Sequence, residues 1–250
     1  MNSSTSFINY FGHVIEDLFR MKSNKNISGM VLLRQIYFTG YEAFFVIAIL
    51  SLLLGGIIIH EGHEVFGKLG AKDWVYKILV STIVRDFGPI ITSFIVLARS
   101  GTAISTELGN MSYHKEIDSI KSLGINPISY IVTPRIVGMI VSMIILILYF
   151  SIIGVVGGYI VKTIISPMKF MTFFDHFIRA LRFSDIFFMI AKTAFCGLFI
   201  SSICSYQGLQ VRKAITEVPQ RNIKAVVHSV FAIFLVNGIG VALYIILEVL

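Results

Sequence analysis

Residues 136 to 161 read IVGMIVSMIILILYFSIIGVVGGYIV, without a single charge, between Arg135 and Lys162. As a helix this run would extend about 39 Å at 1.5 Å per residue, more than the roughly 30 Å hydrocarbon core of a bilayer. No soluble fold hides so long an uncharged helix without a much larger protein around it, and this chain has 250 residues. Working outward, the same test selects Ala43 to Ile59, bounded by Glu42 and His60. It selects Ile186 to Tyr206, which carries Lys192 inside it, and Val226 to Ile246, with His228 near its start and Asn237 within. A fifth run, Val75 to Ala98, has Lys77 near its start and Arg85 and Asp86 inside, followed by Pro89. Membrane helices tolerate such a proline where neighbours satisfy the freed carbonyl, so this run is expected to span with a kink. The expected fold is an all-α integral membrane protein with five transmembrane helices.

Composition agrees. The chain is 56% hydrophobic and 14% charged, against about 25% charged in average soluble domains, and its mean hydropathy is +0.83. The spans run almost end to end and leave one domain over residues 1–250. The net charge of +7 lacks the basic stripe and interleaved aromatics of a nucleic-acid binder, and excess Lys and Arg suits loops facing anionic lipid. Lys and Arg number eleven on the segments that share a side with the N-terminus and eight on the other, so the N-terminus is expected inside. The polar start, Met1 to Asn9, has no basic n-region or small-residue cleavage site, which argues against a removable signal peptide. Cys196 and Cys204 would stand about 12 Å apart along one helix, too far for a disulfide, and read as small packing residues.

Ahead of the first span, Phe7, Tyr10, Phe11, Val14, Ile15 and Leu18 recur at spacings of three and four, with His13, Glu16, Asp17 and Arg20 elsewhere. That pattern predicts an interfacial helix, and Met30 to Phe38, interrupted by Arg34 and Gln35, predicts a second short one before the span.

Two motifs mislead. Gly62-His-Glu-Val-Phe-Gly-Lys68 follows the phosphate-loop pattern until Leu69 stands where Ser or Thr should hold Mg²⁺, and no strand precedes it; no nucleotide hydrolysis by this chain is expected. His60-Glu-Gly-His63-Glu64 has its histidines at i and i+3 instead of i and i+4, so a polar helix end is favoured over metal. Neither a metal site nor a catalytic constellation at membrane depth is expected, which argues against an intramembrane enzyme.

Arg99 to Met111 is rich in Gly, Ser, Thr and Ala, a composition that lets helices approach closely. Ser112 could cap the following segment, with Glu116 in its first turn and Gly124 past its end, giving a helix of about three turns between two spans. Ile117, Ile120 and Leu123 would share one side and leave Lys115, Asp118 and Lys121 exposed. By itself the pattern fits a docking helix for a soluble motor and a plain structured loop equally well.

The region resembles the MlaE/YrbE permease family. The resemblance rests on Arg85-Asp-Phe-Gly-Pro89, then Arg99-x-Gly-x-Ala103 with Glu107-Leu-Gly-x-Met111, then Glu116 through Gly124 to Pro127, and Pro134-Arg135. Leu33-Arg-Gln-Ile-Tyr37 also matches. The likeness is dense from about Leu32 to Val161; Arg212 to Arg221 departs from it, and it resumes at Ala225-Val-Val-His-Ser229. It implies a permease of a phospholipid ABC transporter in the bacterial inner membrane. The implied assembly is a homodimer with a lipid cavity between subunits and a separate ATPase that carries ATP and Mg²⁺. The ATPase would bind Lys115, Glu116, Ile117, Asp118, Ile120 and Lys121. A periplasmic MCE-domain protein is a further implied partner, as is, in some members, a STAS-domain protein. No cofactor is implied for this chain. Export of another small hydrophobic molecule is the alternative.

Ionisable groups inside spans cost about 2.5–3.5 kcal/mol each on insertion scales, so they face a cavity or a partner. Arg85, Asp86 and Lys192 are expected to form one polar cluster in the outer half of the lipid cavity, where Arg and Lys can grip a phosphate. Leu52, Leu53 and Ile57 are expected acyl-chain contacts. Pairing of Arg85 with Asp86 inside their own helix, with Lys192 reaching a surface, would explain the charges without a ligand.

Overall fold

A computed structural model of the chain describes residues 7–20, 29–68, 72–212 and 214–249. Lys22, Lys25 and Lys213 of the charge count and Leu69 of the phosphate-loop test lie outside them, as does the polar start up to Ser6. Every regular element among the described residues is helical: α1 (Phe7–Arg20), α2 (Gly29–Lys68), α3 (Lys72–Leu79), α4 (Phe87–Val96), α5 (Thr102–Tyr113), α6 (Glu116–Ser122), α7 (Thr133–Ile165), α8 (Phe170–Ala180), α9 (Phe183–Gly208) and α10 (Glu217–Val249). Among the described residues five stretches are long and apolar enough to cross a bilayer: Gln35–Phe66, Trp74–Tyr113, Ile128–Ile165, Phe183–Gly208 and Glu217–Glu248. All exceed the uncharged cores read from sequence. Trp74–Tyr113, with 40 residues, would be about 60 Å long as one helix, so its ends must stand clear of the hydrocarbon.

The expected short helix at Met30–Phe38 is not a separate element. It is the first part of α2, which runs unbroken for 40 residues. There is no proline between Gly29 and Lys68, and each interior glycine costs only about 1 kcal/mol. Packing also holds the stretch in line. Ser142 Oγ on α7 donates to the Ile36 carbonyl at 3.3 Å, and a Cβ on Gly138 would come within 2.8 Å of the Gln35 side chain.

The second span is a composite. π-Helical turns at Val80–Asp86 and Leu97–Gly101 separate α3, α4 and α5, and a third, Ile128–Val132, leads into α7. Pro89 stands three residues after the first, and such turns gather at functional sites.

Contacts divide the chain into two compact units. One comprises Met1–Glu42, Val96–Ser142 and Phe195–Phe234; the other Ala43–Ile95, Met143–Ala194 and Leu235–Leu250. In the first, α1 buries Tyr10 and Val14 completely against Val132 and Ile136. Its rings pack on α9: Phe7 edge-on and Tyr10 tilted against Tyr206 at 5.3 and 5.2 Å, and Phe11 stacked on Phe199 at 5.3 Å. The spacing of apolar residues in α1 thus marks a docked face. The small residues foreseen at Arg99–Met111 pack as expected: Ser100 and Ser105 are buried, and Gly101 and Gly109 face Cys204 and Val218.

In the second unit α2 crosses α7 with the backbones nearly touching. A Cβ on Gly55 would fall 1.8 Å from the Gly154 carbonyl oxygen, and one on Gly157 would fall 2.3 Å from that of Leu52. Small residues a turn apart on both helices permit this approach, where dispersion replaces the hydrophobic effect as the source of cohesion. The sequence reading has no counterpart for α8. Its Phe173 and Phe177 are buried, Phe173 against Tyr76 and Tyr159 at 5.5 Å each, while Asp175 and Arg179 stay exposed. The spacing Phe170, Phe173, Phe174, Phe177 is an amphipathic signal that was there to be read.

Candidate functional site

Proline has no N–H, so the carbonyl four residues before Pro89, that of Arg85, loses its helical donor. A side chain from span four takes the place of that donor. Lys192 Nζ donates to the Arg85 carbonyl oxygen at 2.7 Å and to Asp86 Oδ1 at 3.1 Å. Lys192 is 2% exposed, and its stem lies where a Cβ on Gly240 would be, within 2.7 Å of its Cγ and Cδ. The glycine on span five is what leaves room for a buried lysine between spans two and four.

Arg85 and Asp86 point different ways, as neighbours on a helix must. Arg85 Nε bonds Asp86 Oδ2 at 3.2 Å, its Nη1 stands 3.8 Å from Asp185 Oδ1, and its guanidinium lies 4.3 Å from the centre of the Tyr244 ring. The structure therefore brings together Arg85, Asp86 and Lys192, as anticipated, and the pairing of Arg85 with Asp86 coexists with the Lys192 contact. It adds Asp185 and Tyr244, which sequence reasoning missed. The signal for Asp185 is its place three residues after Arg182. From there Oδ2 accepts the Arg182 N–H at 3.0 Å while Asp185 N donates to the Arg182 carbonyl, the reciprocal arrangement of a helix start. Tyr244 offered no signal, because an aromatic in an apolar span is ordinary.

Two cavities adjoin these residues in sequence. One, of about 420 Å³, is lined by Lys77, Arg85, Arg179, Arg182, Asp185 and Glu248 among others; Arg182 pairs there with Glu248. The other, of about 260 Å³, is walled almost entirely by apolar side chains of α7, α8 and α9, such as Val155, Phe174 and Met189. Leu52, Leu53 and Ile57 line neither; they lie on an outward face of α2 with 41%, 53% and 56% exposure.

The segment between spans two and three differs from expectation in detail. Helix α6 has seven residues, two turns and not three. Ser112 does not cap it: its hydroxyl donates to the Leu209 carbonyl at 3.3 Å. The residue before the helix is Lys115, at φ 61°, a left-handed conformation that costs a non-glycine residue roughly 1–2 kcal/mol. Gly124 follows the helix at φ 77°, as a left-handed stop requires. Ile117 is buried, Ile120 half-buried, and Leu123 is 76% exposed, so the expected apolar side stops short of it. Lys115, Glu116, Asp118 and Lys121 are exposed. Lys121 Nζ bonds Asp118 Oδ1 at 3.0 Å and holds that carboxyl below the usual Asp range. A groove of about 400 Å³ runs beside α6, with Leu209, Val211 and Arg212 among its lining residues. Nearby, Arg135 Nη2 bonds Glu107 Oε1 at 2.7 Å, which joins two residues of the quoted motifs.

Gly62–Lys68 is helical, part of α2, where no backbone loop can wrap a phosphate. Among the described residues no three His, Cys, Asp or Glu side chains converge as metal ligands; His63 Nδ1 lies 3.2 Å from Lys162 Nζ. Cys196 and Cys204 are buried free thiols.

Comparison with known proteins follows the same lines. The family model "Permease MlaE" matches residues 32–243. A "Probable ABC transporter permease protein" of Rickettsia typhi is 27% identical over 83% of this chain and 80% of its own length. The chloroplastic protein Trigalactosyldiacylglycerol 1 of Arabidopsis thaliana is 27% identical over 82% of the chain and 59% of its own length. The "Intermembrane phospholipid transport system permease protein MlaE" of Haemophilus influenzae is 22% identical over 80% and 77%. With five helices fit to cross a membrane and a family match over most of its length, the chain is a multi-pass ABC transporter permease, a subunit without ATPase activity of its own, and belongs to the MlaE permease family.

Proposed function

We propose that this permease moves phospholipid between the inner membrane and a periplasmic MCE-domain protein. Its partners in this reading are a second copy of itself and a separate ATPase that carries the nucleotide and Mg²⁺. One observation carries the reading: a polar cluster of Arg85, Asp86 and Lys192 is built at the break in span two, with further cations lining a cavity beside Arg85. Charged groups are kept at membrane depth where they serve a ligand or a path, and a phosphate attached to acyl chains is a ligand that needs both cations and an apolar surround. The Haemophilus influenzae relative, named for intermembrane phospholipid transport, points the same way.

With the N-terminus cytoplasmic, α1 and α6 face the cytoplasm. There α6 would meet the ATPase through exposed Lys115, Glu116, Asp118 and Lys121, with Ile117 and Ile120 anchoring it from behind; a STAS-domain protein, where present, would sit on the ATPase. Span four begins on the opposite side, so the cluster lies in the outer half of the transport path. Leu52, Leu53 and Ile57, exposed on α2, suit acyl contacts in a cavity closed by the second subunit. The test is the lipid retained per mole of purified protein. Arg85→Ala should lower it several-fold while the protein stays folded, because Lys192 and Asp86 still close the span-two break. Unchanged lipid occupancy would refute the reading.

A further inference from the structure

Asp185 is 3% exposed, and only half of its carboxylate is engaged by hydrogen bonds. Oδ2 accepts the Arg182 backbone N–H at 3.0 Å, which fixes the group in place. Oδ1 is buried with no hydrogen-bond donor among the described residues. The nearest cation, Arg85 Nη1, is 3.8 Å away, an ion-pair distance beyond hydrogen-bond reach. Buried carboxylate oxygens are nearly always satisfied, so an orphan one calls for a donor. Asp185 lines the 420 Å³ cavity.

The same cavity is lined by four cations, Lys77, Arg85, Arg179 and Arg182, against two carboxylates, Asp185 and Glu248. Arg85 is held by Asp86 and the Tyr244 ring, and Arg182 by Glu248. Lys77 lies over the Trp74 ring at 5.1 Å. Neither Lys77 nor Arg179 has a carboxylate partner among the described residues, and both are exposed. The cavity thus offers free positive charge at its rim and a buried, fixed acceptor within.

We infer that this cavity is a headgroup site for an aminoalkyl phosphate, the chemistry of a phosphoethanolamine lipid. The phosphate meets Lys77 and Arg179, and the primary ammonium donates to Asp185 Oδ1. Charge-assisted hydrogen bonds are about twice as strong as neutral ones, so an ammonium outranks the hydroxyls of a glycerol headgroup. A choline headgroup has no N–H and leaves the oxygen unsatisfied. The inference rests on the phospholipid reading and deepens it by naming the headgroup.

Native mass spectrometry of the full chain tests it, after reconstitution with equimolar phosphatidylethanolamine, phosphatidylglycerol and phosphatidylcholine and removal of loose lipid. The wild type should retain phosphatidylethanolamine over each of the others by roughly tenfold, the equivalent of about 1.4 kcal/mol. Asp185→Asn keeps an oxygen for the Arg182 N–H and should bring the three lipids to parity with total lipid undiminished. Should that variant not fold, Arg179→Gln, at an exposed position, should lower retention of all three lipids together. Soluble glycerophosphoethanolamine should displace lipid only at millimolar concentration; displacement at micromolar concentration would overturn the assignment to a lipid. Parity in the wild type, or the same preference in wild type and Asp185→Asn, overturns the headgroup assignment alone. A wild type that retains no phospholipid overturns the phospholipid reading with it.

Discussion

Replacing Lys192 by Met removes the ammonium from the span-two break and leaves most of the stem that packs on Gly240. Two hydrogen bonds go: one to the Arg85 carbonyl at 2.7 Å and one to Asp86 Oδ1 at 3.1 Å. Pro89 cannot replace the lost donor, and losing a hydrogen bond from a charged group to that carbonyl costs about 1.5–3 kcal/mol. Asp86 fares better. Its side chain is 26% exposed and keeps Arg85 Nε at 3.2 Å, which puts its loss near the low end for a charged hydrogen bond, about 1.5 kcal/mol. Removing the buried ammonium recovers part of its desolvation cost. A net loss of about 3 kcal/mol follows, which for a chain of this size lowers the unfolding midpoint by roughly 6–12 °C. Thermal unfolding in detergent micelles, followed by intrinsic fluorescence, measures it. Asp86→Asn combined with Lys192→Met should cost less than the sum of the two single changes, since the pair is lost only once. A Lys192→Met protein within about 0.5 kcal/mol of wild type, the range of an inert surface change, would refute the idea that lysine substitutes for the missing proline donor.

Other expectations follow from the same geometry. Gly55→Ala places a methyl 1.8 Å from the Gly154 carbonyl, where only a shift of the whole helix gives relief, and should cost about 1–3 kcal/mol. Gly12→Ala on α1, with nothing within 4 Å, should instead stabilise by about 0.5–1 kcal/mol; both are read by the same unfolding assay. Reversing Glu116 and Asp118 to Lys should abolish co-purification of the ATPase subunit and lower the unfolding midpoint only slightly, since both side chains are exposed and only the Asp118–Lys121 pair is lost. Asp118 is held below the usual Asp range first by its bond to Lys121. A lowered carboxyl pKa adds stability above the unfolded value, about 3.9, and loses it only as pH falls through the lowered one. The Asp118 carboxyl should therefore stay ionised between pH 6 and 8, and Lys121→Ala should move its midpoint, followed by NMR, upward.

Much of the molecule was legible in one dimension because a bilayer imposes one-dimensional rules. A span needs a run of apolar residues whatever packs against it, so five spans could be counted before any contact was known. The cost of a charge in hydrocarbon likewise singled out Arg85, Asp86 and Lys192. Span limits were less legible. Helices such as α2 continue past the apolar core into water, where hydropathy says nothing, and Met30–Phe38 was cut off from its own helix by two polar residues. Ser112 failed as a cap because its hydroxyl found the Leu209 carbonyl, a partner 97 residues away that no local rule could reveal.

What the sequence determined alone is the number of spans, the apolar face of α1 and the choice of residues too costly to be idle in a membrane; each is set by hydration and chain periodicity, which are properties of short stretches. Tertiary structure decided what those residues do. Lys192 reaches the Arg85 carbonyl only because Gly240, on another span, leaves room for its stem. Asp185 is half-satisfied only because Arg85 stops 3.8 Å short of it. Hydrogen bonds and steric fit act over about 3 Å between residues far apart in the chain, and their partners are set when helices pack.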